Sequence, residues 1–466
     1  MPQFIFRSHL AANAEEAFSW HARPGAFLRL TPPWERVEVL HDPKNIHEGA
    51  VVVFRIIQGP VPVTWAARHT VYRPGRMFAD EQIAGPFAKW RHEHFFSEQD
   101  GGCRLTDCIT YTLPGAPLGP VLGAPLVVKK LCRMFFWRHT VTANDLALAR
   151  RYPRARGLTV LVSGSSGLLG RDLASFLTTS GHKVIRLVRR PPVPGAGEAF
   201  WDPEKGVVDL AGCPPVDAVV HLAGENIGEG RLSPEKKRRV VSSRIAGTDL
   251  LARAAARLSP RPAVFISASA VGYYGHRQDD ILSEEDGPGS GFVADLCRDW
   301  ERASRPAADA GIRTANLRIG VVLTPAGGAL ARLYPPARMG LCPYMGHGGQ
   351  FVSWISPDDV IGAIFHVIAS PKVQGPVNLV APEPATSRSL ARTLVAALGR
   401  GVAAPVPRSL LRMAFGDLTD EVLLASARVI PNKLLQTGYK FLFPDLSKTY
   451  SHVLGLNGVR FLAGRA

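Results

Sequence analysis

Cysteine is scarce in this chain, and the six present (Cys103, Cys108, Cys132, Cys213, Cys297 and Cys342) lie far apart. No Cys-x-x-Cys pair occurs and no histidine stands at metal-ligand spacing, so neither a disulfide frame nor a zinc site is indicated, and no metal is expected. Long apolar runs are missing too. No stretch approaches the roughly 20 apolar residues that a membrane helix needs. The start, Met1-Pro2-Gln3-Phe4, lacks a basic region leading into an apolar run. These absences exclude a membrane span and lead us to expect a cytoplasmic enzyme or binding protein with reduced thiols. Acidic residues are in deficit, 39 against 55 Lys and Arg, for a formal charge of +16. The basic residues are scattered, and the one compact run, Lys236-Lys237-Arg238-Arg239, sits in an amphipathic helical pattern. Without a groove-reading motif the charge reads as a solvated surface, and no nucleic-acid partner is expected.

What is present is ordinary for folded protein: 46% hydrophobic and 20% charged residues in a chain of 466, too long for one core. Through residue 152, aromatic and polar residues alternate in short runs at 4–8, 51–57, 66–72, 89–96 and 103–111, with Gly and Pro between them. Period two predicts antiparallel strands. Helices are predicted at 13–21 and 127–150; in the second, Leu131, Phe135, His139 and Leu146 recur at helical spacing and would lay one face across the sheet. His92 and His94 share a strand face and read as packing or surface groups.

This order of elements, with Gly85-Pro86-Phe87, Trp90, His92, His94, Phe96, Asp107, Ile109, Tyr111 and Pro114, resembles the START-like (SRPBCC) superfamily. The resemblance covers residues 1–152. It implies an α+β helix-grip domain with an apolar cavity for a hydrophobic ligand.

Residues 150–157, with four arginines, a Pro and a Gly, read as a linker. Apolar strands then alternate with helices: strands at 159–163, 183–188, 218–222, 263–267 and 313–319, helices at 168–180, 233–258 and 292–310. That alternation predicts an α/β fold, a doubly wound parallel sheet of Rossmann type, over residues 158–375. A small C-terminal lobe on the substrate side is expected at 376–456.

The run Ser163-Gly164-Ser165-Ser166-Gly167-Leu168-Leu169-Gly170 places three glycines between a buried strand and a helix. Gly164 permits a tight turn, Gly167 lets backbone approach a pyrophosphate, and Gly170 lets helix and strand pack closely. Free N–H groups and the helix dipole would face phosphate. After the second strand, where an acidic residue would hold the ribose of NAD, stand Arg189 and Arg190. A guanidinium there can pair with a 2′-phosphate, so NADP(H) is preferred to NAD(H). Leu222, Ala223 and Gly224 end a central strand with small residues that let backbone approach a ribose, and Arg244 is a candidate for a cofactor or substrate phosphate.

With Ser242 to Thr248, Ile266 to Gly275, Cys297 to Glu301, Leu317 to Leu323, Ser353-Trp354-Ile355, Asn378, Ala427 to Pro431 and Gly438 to Phe441, these residues resemble the atypical extended short-chain dehydrogenases/reductases of the epimerase family. The likeness spans nearly 300 residues, and members with a START-like domain in front are familiar. It implies hydride exchange with a small-molecule substrate, aided by a Ser that orients substrate oxygen and a Tyr-x-x-x-Lys pair in which Lys lowers the phenol's pKa. Ser269 fits the Ser role by position, with Ser267 the weaker candidate. The Tyr-Lys pair is absent: the corresponding helix reads Gly291-Phe292-Val293-Ala294-Asp295-Leu296-Cys297-Arg298. Tyr273 or Tyr274 is then the candidate proton donor, and Glu225 a candidate general base if burial raises its pKa. Arg318 is a further polar candidate. Residues 340–351, glycine-rich around an exposed His347, read as a mobile loop over the cleft.

The expected function is an NADP(H)-dependent oxidoreductase or epimerase. Two alternatives stand beside it: NADP(H) bound without turnover, as a redox sensor or scaffold, and a hydrophobic-ligand carrier acting through the first domain.

Overall fold

Side chains of alternating burial build seven antiparallel strands at the front of the chain: β1 (Gln3–Leu10), β2 (Arg36–His41), β3 (Val51–Gln58), β4 (Val61–Arg73), β5 (Met77–Ala84), β6 (Lys89–Gln99) and β7 (Gly102–Thr112). Their order across the sheet is β1-β7-β6-β5-β4-β3-β2. On β6 the inward residues are Trp90, His92, His94 and Phe96; on β7 they are Cys103, Leu105, Asp107, Ile109 and Tyr111. The helix Leu118–Arg151 covers this face. Its Leu131 and Phe135 pack with Phe4, Trp90, Ile109 and Tyr111, and its Leu146 with Phe18, Phe96 and Leu105, as the helical spacing predicts. Asn13 caps the short helix Ala14–Ala22 by accepting from Glu16 N at 2.8 Å. Periodicity missed two strands for identifiable reasons. β2 is an edge strand with hardly any burial, and β5 pairs with β4 through register shifts that break the alternation.

The computed structural model describes residues 1–58, 61–115, 118–228, 233–416 and 419–463. These divide into one unit of Met1–Pro153, Ser175–Gly181 and Ser451–Ala466, and a second of Arg154–Ala174 and His182–Tyr450. Among the described residues no helix is long and apolar enough to cross a membrane.

The second unit is built on an eight-stranded sheet. Its strands are β8 (Thr159–Ser163), β9 (Lys183–Val188), β10 (Glu198–Asp202), β11 (Val207–Asp209), β12 (Ala218–His221), β13 (Val264–Ala270), Arg313–Ile319 and Gly375–Leu379. The order is β11-β10-β9-β8-β12-β13, then Arg313–Ile319 and Gly375–Leu379, parallel throughout except for the β10–β11 pair. The chain winds outward from β8 in one direction and from β12 in the other. The crevice beyond their carboxyl ends is therefore a topological switch point, where open α/β sheets take ligands.

The helix expected at 292–310 is two helices, Phe292–Arg302 and Arg305–Asp309. Pro306 has no N–H to continue the ladder, so the first helix ends before it. The mobile loop expected at 340–351 is also corrected. Leu341–Met345 is a strand paired with Val402–Val406, and Phe351–Val352 pairs with Ala385–Thr386. The Gln350 amide ties the turn down by donating to Met345 O at 3.0 Å and Leu423 O at 3.2 Å. His347, at the tip, is exposed as expected.

Candidate functional site

At the end of β8 the chain must turn beneath β12, and there is no room for a side chain. Gly164 has φ +69°, and a Cβ on it would lie 2.7 Å from Ala223 N and 2.8 Å from Leu222 C. A Cβ on Gly170 would fall 2.1 Å from Gly164 O, so the first turn of the helix Leu168–Thr179 rests directly on the loop backbone. Gly167 N donates to Gly164 O at 3.0 Å and closes the turn. Ser166 and Gly167 are exposed at its tip. Among the described residues nothing accepts from the amides of Ser165, Ser166, Leu168 and Leu169, as the open first turn of a helix requires. The result is a rim of unused donors at the positive end of a helix dipole, suited to an anion.

Arg189 and Arg190 stand at the end of β9, the neighbour of β8, and their surroundings separate them. Arg190 forks onto Glu198, with Nη1 and Nη2 at 2.8 and 2.7 Å from the two carboxylate oxygens. Arg189 is exposed and pairs with no described residue. Leu222, Ala223 and Gly224 follow β12 on the other side of the switch point, half-buried or exposed, with Ala223 N 3.4 Å from Ser163 Oγ. Beneath them His221 is fully buried, its Nδ1 2.6 Å from Ser163 Oγ. Burial lowers the His221 pKa to about 4.

Arg244 lies under the same loop. Its Nη1 donates to Glu225 O at 2.9 Å and Val240 O at 3.3 Å, and its guanidinium sits 4.9 Å from the Trp300 ring centroid. It braces the loop through carbonyls. The Glu225 carboxylate is 39% exposed and 3.7 Å from Arg239, so it lacks the enclosure on which the general-base expectation depends.

The hydroxyls expected to do chemistry belong to a buried network. Ser269 Oγ donates to Glu301 Oε1 at 2.8 Å; Glu301 is gripped by Arg318 through Nε at 2.8 Å and Nη2 at 3.0 Å. Arg318 Nη1 donates to Tyr274 Oη at 2.8 Å, and that phenol has Ser283 O and Asn378 Oδ1 as acceptors, each at 2.8 Å. Burial pushes the Tyr274 pKa up to about 12 against the pull of Arg318. Tyr273 differs: its ring lies over the Arg318 guanidinium, 3.5 Å from centroid to carbon, and no described residue bonds its hydroxyl. Sequence reasoning found Ser269, Tyr274 and Arg318 but missed that Glu301 and Asn378 bind them together. No spacing rule connects residues that meet only between separate strands and helices.

The first unit holds a cavity of about 460 Å³ between the sheet and the helix Leu118–Arg151, walled by Phe54, Trp65, Phe87, Trp90, Leu131 and Met134. Its polar end carries His69, Asp80, His92 and His94. Asp107 is a hub there: His92 Nε2 lies 2.8 Å from Oδ1 and His139 Nε2 2.5 Å from Oδ2, while Ser8 Oγ is 2.6 Å from His139 Nδ1. Burial would raise the Asp107 pKa, but the field of His94 and the hydrogen bonds from His139 and His92 hold it well below the usual carboxylate range.

Comparison with known proteins matches residues 160–380 to the NAD dependent epimerase/dehydratase family, 406–453 to a domain of unknown function (DUF1731), and 10–135 to the polyketide cyclase / dehydrase and lipid transport family. The epimerase family protein MT2273 of Mycobacterium tuberculosis is 43% identical over 282 residues, which cover 60% of this chain and 93% of the relative. The human epimerase family protein SDR39U1 is 36% identical over 64% of this chain and 100% of its own length. Among solved structures, the nucleoside-diphosphate sugar epimerase of Corynebacterium glutamicum superposes with a TM-score of 0.81 at 32% identity, covering 99% of this chain and 92% of that one. Human SDR39U1 (isoform 2) with NADPH gives a TM-score of 0.59 at 35% identity, over 64% of this chain and 99% of that one.

Proposed function

From the premise that this chain belongs to the epimerase family, an extended short-chain dehydrogenase/reductase group, we propose that it is an NAD(P)-dependent epimerase-like oxidoreductase that prefers NADP(H) and acts on a small-molecule substrate. The observation that carries the reading is the glycine turn at the switch point, its amides unused and Arg189 at the end of the adjacent strand unpaired among the described residues. The cradle fits the cofactor: Gly164 and Gly170 leave space only for backbone, and Gly167 keeps the approach to the amides clear.

Bound there, the cofactor would supply a hydride at its nicotinamide. Ser165, Ser166, Leu168 and Leu169 would hold the pyrophosphate through their amides, and Arg189 the 2′-phosphate. Leu222, Ala223 and Gly224 would offer backbone to a ribose. Arg190 fixes the strand end through Glu198, and Arg244 fixes the loop at Glu225. Of the candidate acid–base hydroxyls, that of Tyr273 is the one that no described residue engages, so it takes the proton-donor role. The human relative solved with NADPH supports the cofactor choice.

Calorimetric titration tests this directly. Arg189→Ala should weaken NADPH by about 10- to 100-fold, the worth of one charge-assisted pair, while NADH affinity hardly changes. Equal losses for both, or no heat with either, would remove the reading.

A second reading, NADP(H) bound without turnover as a sensor or scaffold, is favoured by one observation: the Ser269 and Tyr274 hydroxyls are already engaged by Glu301, Arg318 and Asn378. Stereospecific deuteride transfer from labelled NADPH into a metabolite pool separates the two. In the first unit the aromatic walls support a hydrophobic ligand, to be sought by mass spectrometry of molecules co-purified with the full chain.

A further inference from the structure

The polar end of the first unit's cavity is assembled from a row across the sheet. His69 on β4 stands opposite Asp80 on β5, and Asp80 opposite His92 on β6, while His94, two residues along β6, points to the same face. Asp80, His92 and His94 each offer one donor atom within 4.8 Å of the others.

The contacts within this row are unusual. His92 Nε2 lies 2.8 Å from Oδ1 of the buried Asp107, which leaves Nδ1 as the ring nitrogen that this contact does not use. That nitrogen, Nδ1, faces Asp80 Oδ2 at 3.6 Å. The two atoms stand at a distance too long for a hydrogen bond. It matches the separation of two ligands that each lie about 2.0–2.2 Å from a shared cation, which is roughly 3.3–3.6 Å in a tetrahedral set. His94 is buried with Nδ1 2.7 Å from Asp107 Oδ1 but off-line for a hydrogen bond, and His69 Nδ1 is buried with no partner among the described residues.

We propose that Asp80, His92 and His94 bind a divalent first-row transition cation, of the zinc or iron(II) class, whose remaining coordination positions open into the cavity. Two imidazoles and one carboxylate are the donor set such ions select, and open positions mark a site that also takes a ligand. Asp107 is a positioning residue: by accepting from His92 Nε2 it fixes the tautomer that turns Nδ1 to the metal, and the Ser8–His139–Asp107 chain holds it in place. The linear spacing of histidines hides the site, because Asp80 comes from the neighbouring strand. A hydrophobic molecule carrying a carbonyl or hydroxyl oxygen would fill the cavity with that oxygen toward the cation.

The test uses the full chain, stripped with chelator and titrated with Zn(II) by calorimetry and with Co(II) by visible absorption. The expected result is one equivalent bound, a cobalt spectrum of low coordination number, and loss of both in Asp80→Asn and His92→Gln. His347→Gln, on an exposed turn, should bind as the parent does. Asp107→Asn should weaken zinc by about 10- to 100-fold, the usual cost of losing an outer-shell partner. Should the substituted chains fail to fold, histidine ¹⁵N shifts of the unaltered protein decide. Zinc at His92 Nδ1 supports the proposal; an imidazolium that persists when zinc is present overturns it, because a proton then bridges His92 and Asp80. No binding to the parent chain, or binding that survives Asp80→Asn and His92→Gln, overturns it equally.

Discussion

Arg189 and Arg190 are chemically identical neighbours, yet Glu198 leaves only one of them free for a ligand. His221 is a similar case of a residue whose state is set by what surrounds it. Its ring is fully buried against Ser163, with Nε2 unpartnered and Trp201 edge-on at 5.8 Å between centroids. Burial lowers its pKa from 6.5 to about 4. The unfolded chain therefore binds more protons than the folded one between those values, so the stabilisation is complete above the unfolded pKa and is lost as pH falls through the folded one. The upper bound is on the order of 3 kcal/mol. Urea unfolding at pH 7 and pH 5 should show His221→Gln with a flatter pH dependence than the parent, by roughly one proton's slope, about 1.4 kcal/mol per pH unit. Identical slopes would mean that this histidine is already charged at pH 5 in the folded state.

At the scale of the element, the glycine turn makes two substitutions separable. Gly170→Ala puts a methyl 2.1 Å from Gly164 O, and since backbone cannot give way cheaply, it should cost roughly 3 kcal/mol and perturb the β8–helix packing. Gly167→Ala meets only Gly164 O, at 3.2 Å. It should stay within about 1 kcal/mol of the parent yet lose most NADPH affinity, because the methyl stands where a ligand would approach. Melting curves beside calorimetry read both. A Gly167→Ala chain that bound NADPH normally would show that the amides at this turn hold no phosphate. The glycines were legible in the sequence because the turn is local. Glu301 and Asn378 were not, since each reaches the network from a different strand or helix.

At the scale of the whole molecule, the last residues belong with the first sheet. Arg133 donates to Leu454 O through Nε at 3.0 Å and Nη2 at 2.7 Å, and Phe461 packs 5.7 Å from the Phe6 ring. Deleting residues 454–466 removes the buried Leu454 and the ring of Phe461. It should destabilise the first unit by roughly 3 kcal/mol on apolar area alone. Differential scanning calorimetry would register this as a lower melting transition, and an unchanged thermogram would mean that the tail contributes nothing to that unit.

By itself the sequence determined the two kinds of layer: period two for the antiparallel sheet, and buried strands alternating with helices for the parallel one. It also determined the glycine turn between β8 and the helix that follows, because periodicity, capping and glycine tolerance are properties of contiguous residues. Tertiary structure alone decided which of two arginines is free, that Ser269 and Tyr274 are held by partners, and that Asp80 meets His92 and His94. Those outcomes depend on strands and helices that the fold sets side by side, and a contact made between them leaves no periodic mark along the sequence.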